Sequence, residues 1–226
     1  MSLNEEQILP TWESNAEPWS AAVREKRIGS RTKVTNDAVL RVVGPGRGRK
    51  VLDLGCGEGW LSREMSRHGW RVVGVDGSAA LVDAAREGGV EEYRRLQYSD
   101  LEAAFSEREF DLVVCNFSLL GERSTSEALS ASAKLLKPQG RLVIQTVNPE
   151  SVENPHLSGW RTEDWRGFTA LDWTPSPWYY HTLSDWIGLI KGAGFALIEM
   201  REPAADGADR PSSLILVAKK GVLQKE

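Results

Sequence analysis

The segment Val51-Leu52-Asp53-Leu54-Gly55-Cys56-Gly57-Glu58-Gly59-Trp60 restricts this chain more than any other stretch. A short apolar run, Val51 to Leu54, reads as a buried strand. It breaks into a turn holding Gly55, Gly57 and Gly59, and the residues from Trp60 to His68 then read as a helix with Leu61 and Met65 facing inward. Glycine accepts positive φ and lets a ligand approach the bare main chain. The free N–H groups at a helix start favour a polar or anionic ligand group. A strand, a glycine turn and a helix in that order open a βαβ unit, so the chain is expected to build a parallel sheet with crossover helices.

The rest of the chain continues the alternation. Gly69 ends the first crossover helix, and Arg71 to Val75 is a second strand. Ser78 to Glu87 is a helix closed by Gly88-Gly89, Tyr93 to Gln97 a third strand and Phe110 to Cys115 a fourth. Ala128, Leu129, Ser132, Ala133 and Leu136 share a helical face, and Pro138-Gln139-Gly140 turns into strand five, Arg141 to Val147. Upstream, Thr35 can cap a helix carrying Ala38, Val39, Val42 and Val43, stopped by Gly44-Pro45-Gly46. Residues 148–182 interrupt the rhythm with a long aromatic excursion, and loops of such length are usually lids or binding elements. A last helix from Thr182 to Ala193 precedes two closing strands, Phe195 to Met200 and Leu214 to Ala218. Four segments of one domain result: an N-terminal helical cap (1–47), a cofactor-binding core (48–148), an aromatic lid (149–182), and the last helix with the closing strands (183–226).

Composition narrows the function. With 28 Lys plus Arg against 32 Asp plus Glu, the formal net charge is -4, which lacks the basic footprint of a duplex-binding protein. Cys56 and Cys115 lie in apolar surroundings and read as reduced core thiols, and with three histidines and no clustered Cys/His spacing a metal site is not expected. Met1 to Pro10 has no signal-peptide pattern and no apolar run has bilayer length, so the expected address is the cytoplasm.

Two cofactor classes compete for the glycine turn. A dinucleotide site wants G-x-G-x-x-G or a terminal Ala, because a pyrophosphate packed on the helix needs a small sixth residue. Here the pattern is G-x-G-x-G and the sixth residue is Trp60, which points to a nucleoside without a pyrophosphate. Asp76 follows the second strand, where a carboxylate can accept from two ribose hydroxyls. Asp53 is an acid inside an apolar strand. Burial of a carboxylate is costly unless it is hydrogen-bonded, so Asp53 is expected to hold the loop amides or to meet a ligand ammonium.

Five segments in this order resemble the class I S-adenosylmethionine-dependent methyltransferases: Val51 to Gly59, Val72-Val73-Gly74-Val75-Asp76-Gly77-Ser78, Ser99-Asp100-Leu101, Phe110 to Asn116, and Leu135-Leu136-Lys137-Pro138-Gln139-Gly140-Arg141-Leu142. The match covers roughly residues 48–148. The resemblance implies a doubly wound, seven-stranded, mostly parallel sheet with an antiparallel last strand, and S-adenosyl-L-methionine as cofactor. It implies that Gly55, Cys56 and Gly57 pass beneath the methionine and ribose, that Asp76 binds the ribose and that Gly77 and Ser78 border the adenine. Asp100 would accept from the adenine amino group, the Leu101 amide would meet a ring nitrogen, and Asn116 and Phe117 would sit near the sulfonium methyl.

Methyl transfer from a sulfonium is an in-line displacement, and a general base is needed only for a protonated acceptor. His181 is the base candidate, with a backbone-bonded histidine as its alternative, and Asn116 and Tyr180 are the other candidate catalytic residues; His156 is a lesser candidate and His68 suits a helix C-terminus. Five of the nine tryptophans fall between residues 160 and 186. They either pack over the sheet edge or, with Trp160, Trp165, Phe168, Trp178 and Tyr180, roof a pocket for a ring-shaped acceptor. The stretch Tyr180 to Trp186 resembles small-molecule methyltransferases of the ubiquinone and menaquinone biosynthesis type. Arg31 and the basic residues before it could reach the cofactor carboxylate, but a solvated helix face is the simpler reading. The expected activity is methyl transfer to a small, partly aromatic metabolite. The alternatives are a tRNA or protein methyltransferase, a non-catalytic S-adenosylmethionine-binding module, and a nucleotide-dependent oxidoreductase that Trp60 argues against.

Overall fold

The computed structural model describes residues 3–163, 165 and 173–221. Two helices open the chain, α1 (Ile8–Ser14) and α2 (Ala16–Arg24), followed by α3 (Asn36–Val43). The core then runs β1 (Lys50–Leu54), α4 (Trp60–Arg67), β2 (Arg71–Asp76), α5 (Ala79–Gly88), β3 (Glu92–Arg95), α6 (Leu101–Ala104), β4 (Phe110–Asn116), α7 (Arg123–Leu135) and β5 (Leu136–Thr146). After it come β6 (Gly159–Glu163), β7 (Ser176–Tyr180), α8 (Leu183–Gly192), β8 (Phe195–Arg201) and β9 (Leu214–Lys220).

One seven-stranded sheet has the order β3-β2-β1-β4-β5-β9-β8. The pairs among β1 to β5 are parallel, and β9 runs antiparallel to both β5 and β8. The expected doubly wound sheet with a reversed last strand is therefore present. Strand alternation divides β1 between two cores. Leu52 and Leu54 pack with α7 and α8, while Val51 packs on the α3 and α4 side with Val39, Leu61 and Met65. Asp53 shares the period of Val51, which turns its carboxyl toward α4.

Several local expectations are corrected. Thr35 does not cap α3 with its side chain, because Arg31–Thr35 already forms a π-helical turn that runs straight into the helix. Strand β5 starts at Leu136, and the Pro138-Gln139-Gly140 turn becomes an irregularity within it, with Gln139 at φ 67°. Within the excursion the described residues form β6 and β7, which pair antiparallel with Trp160 opposite Tyr179. Phe168 lies outside the described residues. Among the described residues no helix is long and apolar enough to cross a membrane.

Candidate active site

The strand order reverses between β1 and β4, and open α/β sheets bind ligands in the crevice at such a point. A cavity of about 1070 Å³ opens there. Its floor is the glycine turn. Gly55, Gly57 and Gly59 all have positive φ, at 70°, 56° and 85°. A Cβ at Gly55 would lie 2.3 Å from the Ser118 Cβ, so the close approach of two loops demands glycine there. The turn's amides are held by the neighbouring strand end. Gly55 and Cys56 donate to the Val75 carbonyl at 2.8 and 2.9 Å, and Gly57 donates to Asp76 Oδ2 at 2.9 Å. Asp76 Oδ1 accepts from the Ser78 amide at 2.9 Å.

The two carboxylates thus divide the work differently from the sequence expectation. Asp76, not Asp53, holds a loop amide. Asp53 is 1% exposed and accepts from the Ser62 hydroxyl at 2.6 Å; Ser62 sits in the first turn of α4 and was not singled out by sequence. Burial pushes the Asp53 carboxyl up to about 7, against the Ser62 hydrogen bond and with help from the nearby Asp76 charge. Burial also raises the Asp76 carboxyl. Both carboxylates line the cavity.

Arg31 overturns the reading of a solvated basic face. It is 8% exposed and lines the cavity, with its guanidinium carbon 4.7 Å from the Trp60 ring centroid and 5.3 Å from that of Trp19. Its Nε donates to Asn36 at 3.3 Å, while one Nη is buried without a hydrogen-bond partner among the described residues. Burial lowers its pKa to about 10, so it remains a cation at neutral pH. An unpaired buried donor on a cation is costly, and a ligand anion is the natural partner. Trp60 therefore serves as a cation–π platform at the position where a dinucleotide site needs a small residue.

Asn116 and Phe117 line the cavity at the end of β4. The Asn116 Oδ1 is buried without a partner among the described residues, and Phe117 adopts φ 54°. Gly77 and Cys56 also line it. Ser78, Asp100 and Leu101 do not. Ser78 is fully buried and caps α5 by accepting from Leu81 at 3.2 Å. Asp100 accepts from the Gln97 amide at 3.2 Å, and Leu101 is wholly within the core. The wall at that corner is instead Leu96, Gln97, Tyr98 and Ser99, with the Tyr98 hydroxyl donating to the Ser118 carbonyl at 3.0 Å.

Opposite the floor, His181 and Tyr180 bring the excursion to the cavity. His181 is 6% exposed, with Nε2 3.5 Å from the Gly121 carbonyl oxygen. Burial lowers its pKa below the ordinary 6.5, keeping the ring neutral at pH 7. The Tyr180 hydroxyl donates to the Pro155 carbonyl at 2.9 Å, so its ring and not its proton faces the pocket. Trp165 and Trp178 line the cavity as well, whereas Trp160 stacks edge-on with Tyr179 at 5.4 Å and does not. The roof has a second half that sequence reasoning missed: Leu9, Trp12 and Trp19 of the N-terminal helices also line the cavity. Trp12 meets Trp19 at 5.2 Å and Trp165 at 5.7 Å, both edge to face.

A family model described as a methyltransferase domain matches residues 25–200. The chain belongs to this family. The ubiquinone biosynthesis O-methyltransferase of Alkalilimnicola ehrlichii is 36% identical to this methyltransferase domain over 117 residues, which is 50% of the chain and 47% of that protein. The chain spans about half the length of the curated relatives it matches. An S-adenosylmethionine dependent methyltransferase from Mesorhizobium loti superposes with a TM-score of 0.63 at 23% identity, over 80% of this chain and 96% of that one. The 1,6-didemethyltoxoflavin-N1-methyltransferase of Burkholderia thailandensis, solved with its substrate and S-adenosylhomocysteine, superposes with a TM-score of 0.59 at 18% identity, over 92% and 87% of the two chains. These likenesses show the methyltransferase fold.

Proposed function

We propose that the cavity takes S-adenosylmethionine on its floor and a small, partly aromatic acceptor under its roof, and that the protein transfers the sulfonium methyl group to the acceptor. The observation that carries this reading is the convergence, in one cavity, of a buried guanidinium with one Nη lacking a hydrogen-bond partner among the described residues, a buried carboxylate and bare glycine main chain. An amino-acid zwitterion joined to a nucleoside needs that arrangement. Arg31 would pair with the carboxylate and Asp53 with the ammonium. Asp76 would accept from the ribose, and Leu96 to Ser99 would border the adenine, taking the place expected of Asp100, Leu101 and Ser78. The cavity of about 1070 Å³ lies just above the range of single-ligand pockets, roughly 300–1,000 Å³, which suits two molecules side by side.

When bound, S-adenosylmethionine supplies the electrophilic methyl carbon. The protein's own contribution is alignment, exclusion of water and removal of one proton. Alignment alone can contribute about 7–11 kcal/mol in favourable cases. The aromatic roof of Trp165, Trp178 and Tyr180 shields the site. The neutral His181 is the base for a hydroxyl acceptor, and the O-methyltransferase relative favours that acceptor class. Asn116 Oδ1 is the acceptor-side hydrogen-bond partner nearest the end of β4.

Titration calorimetry with S-adenosylhomocysteine tests the reading. Binding is expected, and Arg31→Met is expected to weaken it by about 1.5–3 kcal/mol, the scale of a charge-assisted hydrogen bond. Absence of binding to the intact protein would falsify the assignment. Because the ligand ammonium would pull the Asp53 pKa down, binding near pH 6.5 is also expected to release a proton, read as a dependence of the heat on buffer ionisation enthalpy.

A further inference from the structure

Helix α7 begins without a cap of its own: Glu122 precedes it in a helical conformation and makes no side-chain cap. The cap comes from 119 residues upstream. Glu5 Oε1 accepts from the Ser124 amide at 2.7 Å, and Oε2 accepts from the Arg123 amide at 3.1 Å. A carboxylate suits the positive end of a 13-residue helix. Gly121 makes room for it, because a Cβ there would fall 2.1 Å from Glu5 Oε1. The carbonyl of that same Gly121 faces His181 Nε2 at 3.5 Å.

Glu5 belongs to a strap, residues 4–24, whose Glu5, Leu9, Trp12 and Trp19 line the cavity. Its other fastenings are also side chains on distant elements. Glu13 accepts from the Ala80 amide at the start of α5 at 3.1 Å, and Thr11 meets Ser176 of β7 at 2.9 Å. Its helices have 7 and 9 residues, too short to persist in water by themselves. The strap joins the body through Lys26, at φ 57°, and Gly29, which has no neighbour within 4 Å of a Cβ position.

We infer that Glu5 is a positioning residue: from the strap it fastens the turn from Gly121 to Ser124, so that the strap lying over the cleft and His181 being held at the cavity wall are one event. The inference rests on the reading of the cleft as the cofactor and acceptor site. Opening the strap for ligand exchange detaches Glu5, uncaps α7 and frees the Gly121 turn. Closing it restores all three. The charged groups that face His181 are Glu5 from the strap, Glu122 ahead of α7 and Asp185 from α8, with the Tyr179 ring of β7 at 4.8 Å.

The test uses the full chain with Glu5→Ala, Glu5→Gln and Gly121→Ala, the last of which displaces the carboxylate without touching the strap's sequence. Hydrogen exchange in the ligand-free protein is expected to speed at least fivefold in α1 and the first turn of α7 in all three, with β1 and β4 unchanged. The His181 ring resonance, assigned with His181→Gln, is expected to shift in Glu5→Ala and in Gly121→Ala, because the Gly121 carbonyl that faces the ring is no longer fastened. Stopped-flow fluorescence is expected to show S-adenosylhomocysteine leaving several-fold faster from Glu5→Ala, with Glu5→Gln between it and the wild type. Unchanged exchange in α1 and in the first turn of α7, or an unmoved His181 ring resonance, overturns the inference. If the wild type binds no S-adenosylhomocysteine, the cofactor reading fails, and exchange and the His181 resonance still decide the role of Glu5.

Discussion

The floor and the roof of the cavity are built by opposite means. The floor is local. Residues 51–62 supply the strand, the glycine turn, Asp53 and the Ser62 that satisfies it, and the turn is pinned by Val75 and Asp76 of the next strand, with Tyr93 and Ser118 donating to the Gly59 and Leu54 carbonyls. The roof is assembled from afar. Asn15 exchanges two hydrogen bonds with the Thr174 main chain at 2.8 and 2.9 Å, Thr11 meets Ser176, and Tyr179 donates to the Leu120 carbonyl at 2.7 Å. A floor fixed by its own sequence can wait for a ligand in its binding shape. A roof held by a few long-range side-chain contacts is drawn from the low-stability end of the molecule, which is where elements that must open are found.

Breaking the floor is expected to do the most damage. Gly55→Val forces a β-branched residue into φ 70° and a Cβ against Ser118, and is expected to cost about 3–5 kcal/mol in a denaturant melt and to remove S-adenosylhomocysteine binding. Breaking the roof should be milder and confined. Asn15→Ala leaves the Thr174 amide without its partner, while the Thr174 carbonyl keeps the Trp165 indole N–H at 2.8 Å, for an expected loss of about 1–3 kcal/mol in the roof, read as faster hydrogen exchange in α1 and β7 with little change in β1 and β4.

The floor's charge sharpens the comparison further. The Asp53 carboxyl is raised in the folded chain from 3.8 to about 7, so the fold binds a proton more tightly than the unfolded chain across that interval. Stability of the ligand-free protein should therefore fall as pH rises from about 4 to 7. Asp53→Asn is expected to flatten that slope and to gain about 1–2 kcal/mol at pH 8 while matching the wild type at pH 4. A flat wild-type profile would show that the floor's carboxyl is already satisfied without a cation. The smallest effect is expected of Thr11→Val, which should cost about 0.5–1 kcal/mol in a thermal melt and loosen only the junction of strap and hairpin.

The floor was legible because its signals sit within one window. Glycine spacing, the acid inside an apolar strand and the acid at the next strand's end identify the crevice, and Trp60, which points away from a pyrophosphate, carries the Arg31 guanidinium on its ring. At the corner proposed for the adenine, spacing located the stretch of chain but not which of its residues line the cavity. Asp100 and Leu101 share the right stretch of chain, but the short turn after β3 directs Leu96 to Ser99 at the cavity and spends Asp100 on capping Gln97. Tyr180 stood out as an aromatic at the right place, yet the Pro155 carbonyl that takes its hydroxyl could not be read from spacing. Arg31 was misread for a similar reason: a basic run looks solvated until two indole rings from separate helices close on it.

The sequence by itself determined the strand and helix order, the reversal point where the crevice opens, and the chemistry of the crevice floor, because hydrophobic period and backbone conformation are properties of neighbouring residues. The tertiary structure decided which polar groups are buried, paired or left waiting. Glu5 capping a helix at Ser124, 119 residues away, Ser62 beneath Asp53 and Arg31 between Trp19 and Trp60 all depend on the dielectric and geometry that form only when distant segments meet.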